Sequence, residues 1–327
     1  MKILVTGGAG YVGSHAVRRM QESGHDIWVY DNLSTGHRES VSAGQLIEGD
    51  LSDQSRLQAL LADQAIDVVM HFAASTLVGE SVTDPGKYYR NNVLGTFCLL
   101  EAMRHAEVRK LVFSSTTAVY GEPEAMPIQE GFPRVPVNPY GQSKYIVEEM
   151  LSDYSKAYEF GCVVLRYFNA AGAAVDGSIG EDHDPESHLI PLVLQVALGK
   201  RNDITLFGND YPTPDGTCVR DYVHVDDLAQ AHDLALAQLE PGTSLYLNLG
   251  SETGSSVREV IEACRRVTGH PIPVLEGERR SGDPPILVAD SSRAKKVLNW
   301  KPRFTEIEQI VQSAWKWHQA HPNGYAG

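Results

Sequence analysis

Seven residues near the N-terminus constrain this chain more than any other stretch. Lys2–Thr6 (KILVT) is a short β-prone run that breaks into Gly7-Gly8-Ala9-Gly10-Tyr11-Val12-Gly13 before a helical pattern begins. Glycine is needed in such a turn because a side chain would block both the tight bend and the approach of backbone N–H groups to a pyrophosphate. The helix that follows offers the partial positive charge of its N-terminus to the same phosphates. A second β-prone run, DIWVY (26–30), ends at Asp31. A carboxylate there accepts hydrogen bonds from both ribose hydroxyls and repels a 2′-phosphate, which favours NAD over NADP.

The alternation continues. QLIEG (45–49), DVVMHFA (67–73), KLVFSS (110–115) and CVVLRYF (162–168) read as strands, separated by amphipathic stretches at 14–23, 55–61, 88–105 and 140–160. Strands alternating with helices imply right-handed βαβ units, hence an α/β fold with a Rossmann-type doubly wound parallel sheet. After Asn169 the sequence is rich in Gly, Pro and Asp up to residue 223. LYLNLG (245–250) reads as one more strand, and 256–327 holds two helix-like stretches separated by Pro-rich turns. The expected division is an NAD-binding domain over 1–170, to which 221–250 crosses back, and a smaller C-terminal α/β substrate lobe over 171–327.

Two further pieces fit a dinucleotide crevice. Gly49-Asp50-Leu51 follows the third strand, where a carboxylate meets the adenine amino group, and Phe72-Ala73-Ala74 follows the fourth, where small residues let the cofactor lie close. Asn138-Pro139-Tyr140-Gly141-Gln142-Ser143-Lys144 then opens a helix, with Asn138 as N-cap and Pro139 in the first turn. Tyr140 and Lys144 are four apart and share a face. A free tyrosine, with a pKa of about 10, is a poor base at neutral pH. A neighbouring ammonium and a positive nicotinamide ring lower it, which makes Tyr140 a candidate base for a sugar hydroxyl. The strand end Ser114-Ser115-Thr116-Thr117 supplies hydroxyls to bridge Tyr140 and a substrate oxygen.

Together the glycine motif, the Ser/Thr–Tyr–Lys set and the length resemble the extended short-chain dehydrogenase/reductases. Over nearly the whole chain the resemblance narrows to the UDP-glucose 4-epimerases. It rests on 208–228 (GNDYPTPDGTCVRDYVHVDDL), Arg166-Tyr167-Phe168-Asn169, Asn299-Trp300 and His321-Pro322-Asn323-Gly324-Tyr325. The resemblance implies redox-neutral chemistry with retained NAD, in which Tyr140 takes the 4-hydroxyl proton and a 4-keto sugar turns over before reduction on its other face. Tyr140, Lys144 and Thr116 would be catalytic. Tyr11, Val12, Asn32, Asn91, Ser114 and Tyr167 would join Gly7, Gly10, Gly13, Asp31, Asp50, Leu51, Phe72, Ala73, Ala74, Tyr140 and Lys144 on the cofactor. Thr116, Tyr140, Asn169, Leu189, Phe207, Arg220, Arg280, Asp283 and Leu287 would hold the UDP-sugar. A homodimer packed through helices near 88–105 and 140–158 is also implied.

Three positions depart from the family pattern. A serine is often found where Thr116 stands, and the extra methyl restricts its rotamer. Thr76 replaces a lysine that contacts the cofactor in some members. Leu287 is smaller than the tyrosine of members restricted to unacetylated sugars, which leaves N-acetylated substrates open. Sugar-nucleotide dehydratases carry a carboxylate where Thr117 and Ala118 stand here, so dehydration is not expected. A net dehydrogenase with exchangeable NAD is the competing enzyme reading. A non-catalytic NAD-binding protein would have no need of Tyr140 and Lys144.

The formal charge of −14 argues against nucleic acid and anionic membranes as partners. No export signal or membrane-length apolar run is evident, so a cytoplasmic protein is expected. The four cysteines are widely spaced, with no CxxC pair, as in a reducing compartment. Two stretches are dense in possible metal ligands: Glu181-Asp182-His183-Asp184 with Glu186 and His188, and Asp221, His224, Asp226 and Asp227. Neither has a helical zinc spacing, and no metal is expected. The first reads as a solvated acidic loop, and the second as ordering the loop around Arg220.

Overall fold

The computed structural model describes residues 1–41, 45–280 and 283–326. Six strands follow one another through the first half: β1 (Lys2–Thr6), β2 (Asp26–Asp31), β3 (Gln45–Glu48), β4 (Val68–His71), β5 (Lys110–Thr116) and β6 (Gly161–Tyr167). A seventh, Ser244–Leu249, pairs with β6 in parallel, Ser244 opposite Cys162 and Leu249 opposite Tyr167. The order across the sheet is the seventh strand, then β6, β5, β4, β1, β2 and β3. It reverses between β1 and β4, which opens a crevice at their C-terminal ends. This is the doubly wound parallel sheet anticipated from the alternation of runs.

Alternation along each strand sorts the core into two layers. Ile3 and Val5 of β1, Val112 of β5 and Val163 and Leu165 of β6 pack on one side. There they meet Val17 and Met20 of α1 (Tyr11–Glu22) and Leu228, Ala231 and Ala235 of the Val225–Ala235 helix. Leu4, Leu111, Phe113, Cys162 and Val164 face the other way. They cover Leu57 and Leu61 of the Gln54–Asp63 helix, Leu99 and Met103 of the Gly95–His105 helix, and Val147 and Leu151 of the Pro139–Tyr158 helix.

A third core belongs to the C-terminal half. The Leu189–Ala197, Val257–Thr268 and Ile307–Ala320 helices close around Val193, Leu194, Val260, Ile261, Ile310 and Val311. Beside them run the parallel pair Ile204–Phe207 and Val274–Gly277. Ser256 starts the Val257–Thr268 helix with a full capping box to Glu259, and Gly269 ends it at a φ of +73°. Among the described residues three α-helices, not two, follow residue 256, because the seven-residue Ser292–Leu298 helix is too short to show a clear period. The stretch 88–105 is also not one regular helix. A π-turn over Tyr89–Leu94 interrupts it. No helix among the described residues is long and apolar enough to cross a membrane.

Candidate active site

The glycine turn leaves β1 at the crevice. Gly7 has a φ of +72°, and a Cβ on it would stand 2.4 Å from the Ala73 nitrogen. A Cβ on Gly13 would stand 2.1 Å from the Gly7 carbonyl oxygen. Neither position accepts alanine without moving backbone. Gly10 caps α1 and no side chain satisfies the helix's first N–H groups, so they remain available to an anion. The Tyr11 side chain turns away toward the C-terminal half, its hydroxyl donating to Gly172 O at 2.7 Å. Val12 sits half-buried in the first turn of α1.

Asp31 ends β2 buried, its carboxylate accepting from Ala9 N at 3.0 Å and Leu33 N at 2.9 Å. Burial raises its pKa and these two backbone bonds oppose the rise. Each oxygen keeps a lone pair for a ribose hydroxyl. Asn32 donates to the exposed Asp50 carboxylate at 2.9 Å, which also holds Ser52 and sits below its usual pKa for that reason. Leu51 is buried in the core beneath it. Phe72, Ala73 and Ala74 continue from β4 past Gly7, with the Phe72 ring tilted against His232, ring centroids 4.7 Å apart.

Hydroxyls and the lysine meet at the end of β5. Lys144 is 3% exposed, and its ammonium donates to Ser114 O at 2.9 Å and lies 4.8 Å from the centre of the Phe113 ring. Burial pushes Lys144 down to about 7, against the pull of Glu148. Thr116 Oγ1 accepts from Ala118 N at 3.2 Å. Burial raises the Tyr140 pKa and the Thr116 hydroxyl pulls it down. Ser114 Oγ pairs with the Tyr167 hydroxyl rather than with Tyr140. Asn91 donates to Ser75 Oγ at 3.2 Å, on the loop after β4.

Lys144 carries a testable pH signature. Between about pH 7 and 10.5 the unfolded chain, with its lysine near the usual 10.5, holds one more proton than the folded chain. Stability therefore climbs with pH from about 7 to 10.5 on this residue's account. In cofactor-free protein the thermal advantage of Lys144→Met over the parent should be largest below that window and shrink across it. A pH-independent difference in melting temperature would exclude a buried ammonium.

Several anchors of this cluster escape motif reading. Glu148, one helical turn past Lys144, is fully buried and accepts from Arg166 Nε at 2.8 Å, Arg166 Nη2 at 2.6 Å and Ser115 Oγ at 2.6 Å. Asn92 donates to Ser143 Oγ at 2.9 Å and to Ser75 O at 3.0 Å, tying the loop after β4 to the Tyr140 helix. His71 bridges Thr6 Oγ1 at 2.7 Å and Thr96 Oγ1 at 2.8 Å. Thr96 spends its proton on Asn92 O, so His71 donates from Nε2 and accepts at Nδ1. Burial lowers His71 to about 3, which keeps it neutral.

A second group gathers in the C-terminal half. Arg220 forms an ion pair with Asp283, and Arg280 stacks over Phe207, 4.2 Å from its ring centre. Leu287 stands opposite Arg220 in the parallel pair Val219–Arg220 and Ile286–Leu287. Asn169 opens the Asn169–Ala171 strand, its N–H donating to Asp221 O at 2.9 Å. Leu189 begins its helix at the edge of the third core.

The Asp221–Asp227 stretch does not converge on one point. Asp221 takes the N–H groups of Ser251, Glu252 and Ala289, and Asp227 those of Arg303 and Phe304. His224 pairs with Ser313, and Asp226 with His15 at 2.7 Å.

The chain also has close relatives. The description "NAD dependent epimerase/dehydratase family" matches residues 3–250. A UDP-glucose 4-epimerase of Halalkalibacterium halodurans is 53% identical over 327 residues, covering 100% of this chain and 98% of that protein. The crystal structure of UDP-glucose 4-epimerase from Brucella ovis in complex with NAD superposes with a TM-score of 0.93 at 48% identity, covering 96% of this chain and 97% of that one. The enzyme from Bifidobacterium longum in complex with NAD+ and UDP gives 0.94 at 38% identity, covering 99% and 100%. Both the glycine turn and the Tyr140–Lys144 helix lie inside the matched residues, and the chain belongs to the NAD dependent epimerase/dehydratase family.

Proposed function

We propose that this chain interconverts UDP-glucose and UDP-galactose by inverting sugar carbon 4 through a 4-keto sugar. The observation that carries this reading is the buried Lys144 bonded to Ser114 O at the end of β5, with Tyr140 on the same helix face, on the side of the sheet where the glycine turn opens. NAD, when bound, supplies a reversible hydride acceptor for sugar C4 and a positive charge beside the phenol. Gly7, Gly10, Gly13, Asp31, Asn32, Asp50 and the Phe72–Ala74 backbone would hold it. The free N–H groups at the start of α1 and the lone pairs of Asp31 suit its pyrophosphate and ribose.

Tyr140 takes the proton of the 4-hydroxyl and later returns it, while Thr116 holds the same oxygen. Lys144 fixes the strand end through Ser114 O, and in the loaded site its ammonium together with the nicotinamide charge would draw the phenol's pKa down. Ser114 and Tyr167 pair with each other and position that strand end. Arg220 and Arg280, with Phe207 and Asp283, would take the diphosphate and uridine, and the Bifidobacterium longum relative solved with UDP supports a UDP-sugar as the ligand.

The test incubates purified protein with UDP-galactose, without added NAD, and follows UDP-glucose by chromatography. Conversion is expected. Absence of conversion even after NAD is supplied overturns the assignment. Running UDP-N-acetylglucosamine in parallel reads the effect of Leu287 beside Arg220. Tyr89, Leu94, Phe97 and Tyr158 are exposed apolar side chains on the 89–105 and 139–158 stretches, which supports a homodimer through that face. The cytoplasm, with its NAD and UDP-sugar pools, is the compartment we assign, and galactose use the process.

A further inference from the structure

The stretch expected to be a solvated acidic loop is largely shut off from water. Glu181 is only 4% exposed, and the Glu186 side chain is similarly buried, although Asp184 is exposed. Two Glu-x-His pairs, Glu181/His183 and Glu186/His188, turn toward each other, and their ligand atoms all lie within 4.8 Å of one another. Glu181 Oε1 is 2.7 Å from His188 Nδ1 and 3.3 Å from His183 Nδ1. Glu186 Oε2 is 3.6 Å from His183 Nδ1, and Oε1 is 3.2 Å from His188 Nδ1.

A set of imidazolium–carboxylate ion pairs would account for these distances only if the N–H groups pointed at the oxygens. They do not all do so. Glu181 Oε1 and His183 Nδ1 are both buried, and neither makes a hydrogen bond despite the short separations. His188 Nδ1 keeps a hydrogen bond to Glu186 Oε1, which also accepts the N–H groups of Ser187 and His188. The unmet atoms are therefore Glu181 Oε1 and His183 Nδ1, and a cation between them would satisfy both. Ligand atoms about 2.0–2.2 Å from a zinc ion stand roughly 3.3–3.5 Å apart at the corners of a tetrahedron, the range these four separations bracket. Two imidazole nitrogens and two carboxylates also neutralise a divalent cation, with donors suited to the zinc class rather than to magnesium or calcium.

The surroundings hold the set in place. The Trp317 indole donates to Glu181 O at 3.3 Å, and a Cβ on Gly180 would stand 2.3 Å from Trp317 Cγ, so the chain lies flat against that ring. Tyr11 packs edge-on against His183, ring centroids 6.1 Å apart. From the geometry we infer that Glu181, His183, Glu186 and His188 form a structural site for one divalent transition-metal ion of the zinc class. The ion clamps the loop leading into the Leu189–Ala197 helix, and the inference stands independently of the reaction assigned above.

The full-length protein, stripped with a chelator and dialysed, is titrated with zinc by calorimetry, with metal content read by elemental analysis. One equivalent per chain is expected, along with a rise in melting temperature. Cobalt at the same site should show the visible bands of a four-coordinate ion. Glu181→Gln keeps the side-chain size, and His188→Ala alters a side chain that is 46% exposed, so that at least the second variant folds. Each should weaken binding by more than about a hundredfold, beyond what loss of an outer-shell partner costs. No uptake by the parent, or uptake unchanged in His188→Ala, overturns the site.

Discussion

Tyr140→Phe is expected to lower turnover by at least about a hundredfold, the scale on which removal of a general base is felt. The change deletes one oxygen at the tip of a side chain whose ring packs edge-on near Tyr88, with centroids 6.4 Å apart, so the ring should stay in place. Affinity for the UDP-sugar should change by only a few fold, because the groups proposed for the diphosphate lie in the C-terminal half at Arg220 and Arg280. The measurement is kcat against KM for UDP-galactose. Burial alone drives the phenol's pKa the wrong way for a base, and only Thr116 opposes it in the protein by itself. Rate should therefore fall as pH drops through the working pKa of the complete site. Near-normal turnover in the variant removes Tyr140 from the reaction.

The second large effect is structural. Glu148→Ala should destabilise the fold by about 3–5 kcal/mol, the range seen when one member of a buried ion pair is removed. Arg166 is 2% exposed and would keep its charge in the interior with only Tyr120 Oη and Glu130 O to meet it. Replacing Glu148 and Arg166 together by methionine should cost less than replacing either alone by methionine, since no buried charge is left unpaired and Arg134, the other arginine on Glu148, keeps Glu149. Denaturant midpoints of the two single variants and the double close the cycle. Because Glu148 lies one turn beyond Lys144 and pins that helix to β5 and β6, the single variant should lose turnover as well.

Local chemistry decided what could be read in advance. The glycine turn, the strand runs and the Tyr140–Lys144 spacing are short-range patterns, and each has a physical requirement visible within a few residues. The ends of strands moved by a residue or two, as where β6 begins at Gly161 and stops at Tyr167. The buried polar network was harder. Glu148, Arg166, His71 and Asn92 have partners up to 65 residues away, and nothing local announces them. An arginine inside the apolar run CVVLRYF was the available signal, because a charge on a buried strand demands a partner. The Glu181–His188 loop failed for the opposite reason. Its composition looks solvated, and only the packing of Trp317 and Tyr11 buries it.

The seventh strand, coming from residues 244–249, completes a sheet whose other six strands are finished by residue 167. During synthesis, β6 must wait with a bare hydrogen-bonding edge until more than 70 further residues have been made. The α1 face carrying Val17 and Met20 waits equally for the Val225–Ala235 helix. A dinucleotide-binding fragment cut at residue 170 would keep both surfaces open and invite edge-to-edge association. The nucleotide module of this protein is therefore not a detachable part, and any fusion or split-protein scheme should place its junction after the 244–249 strand.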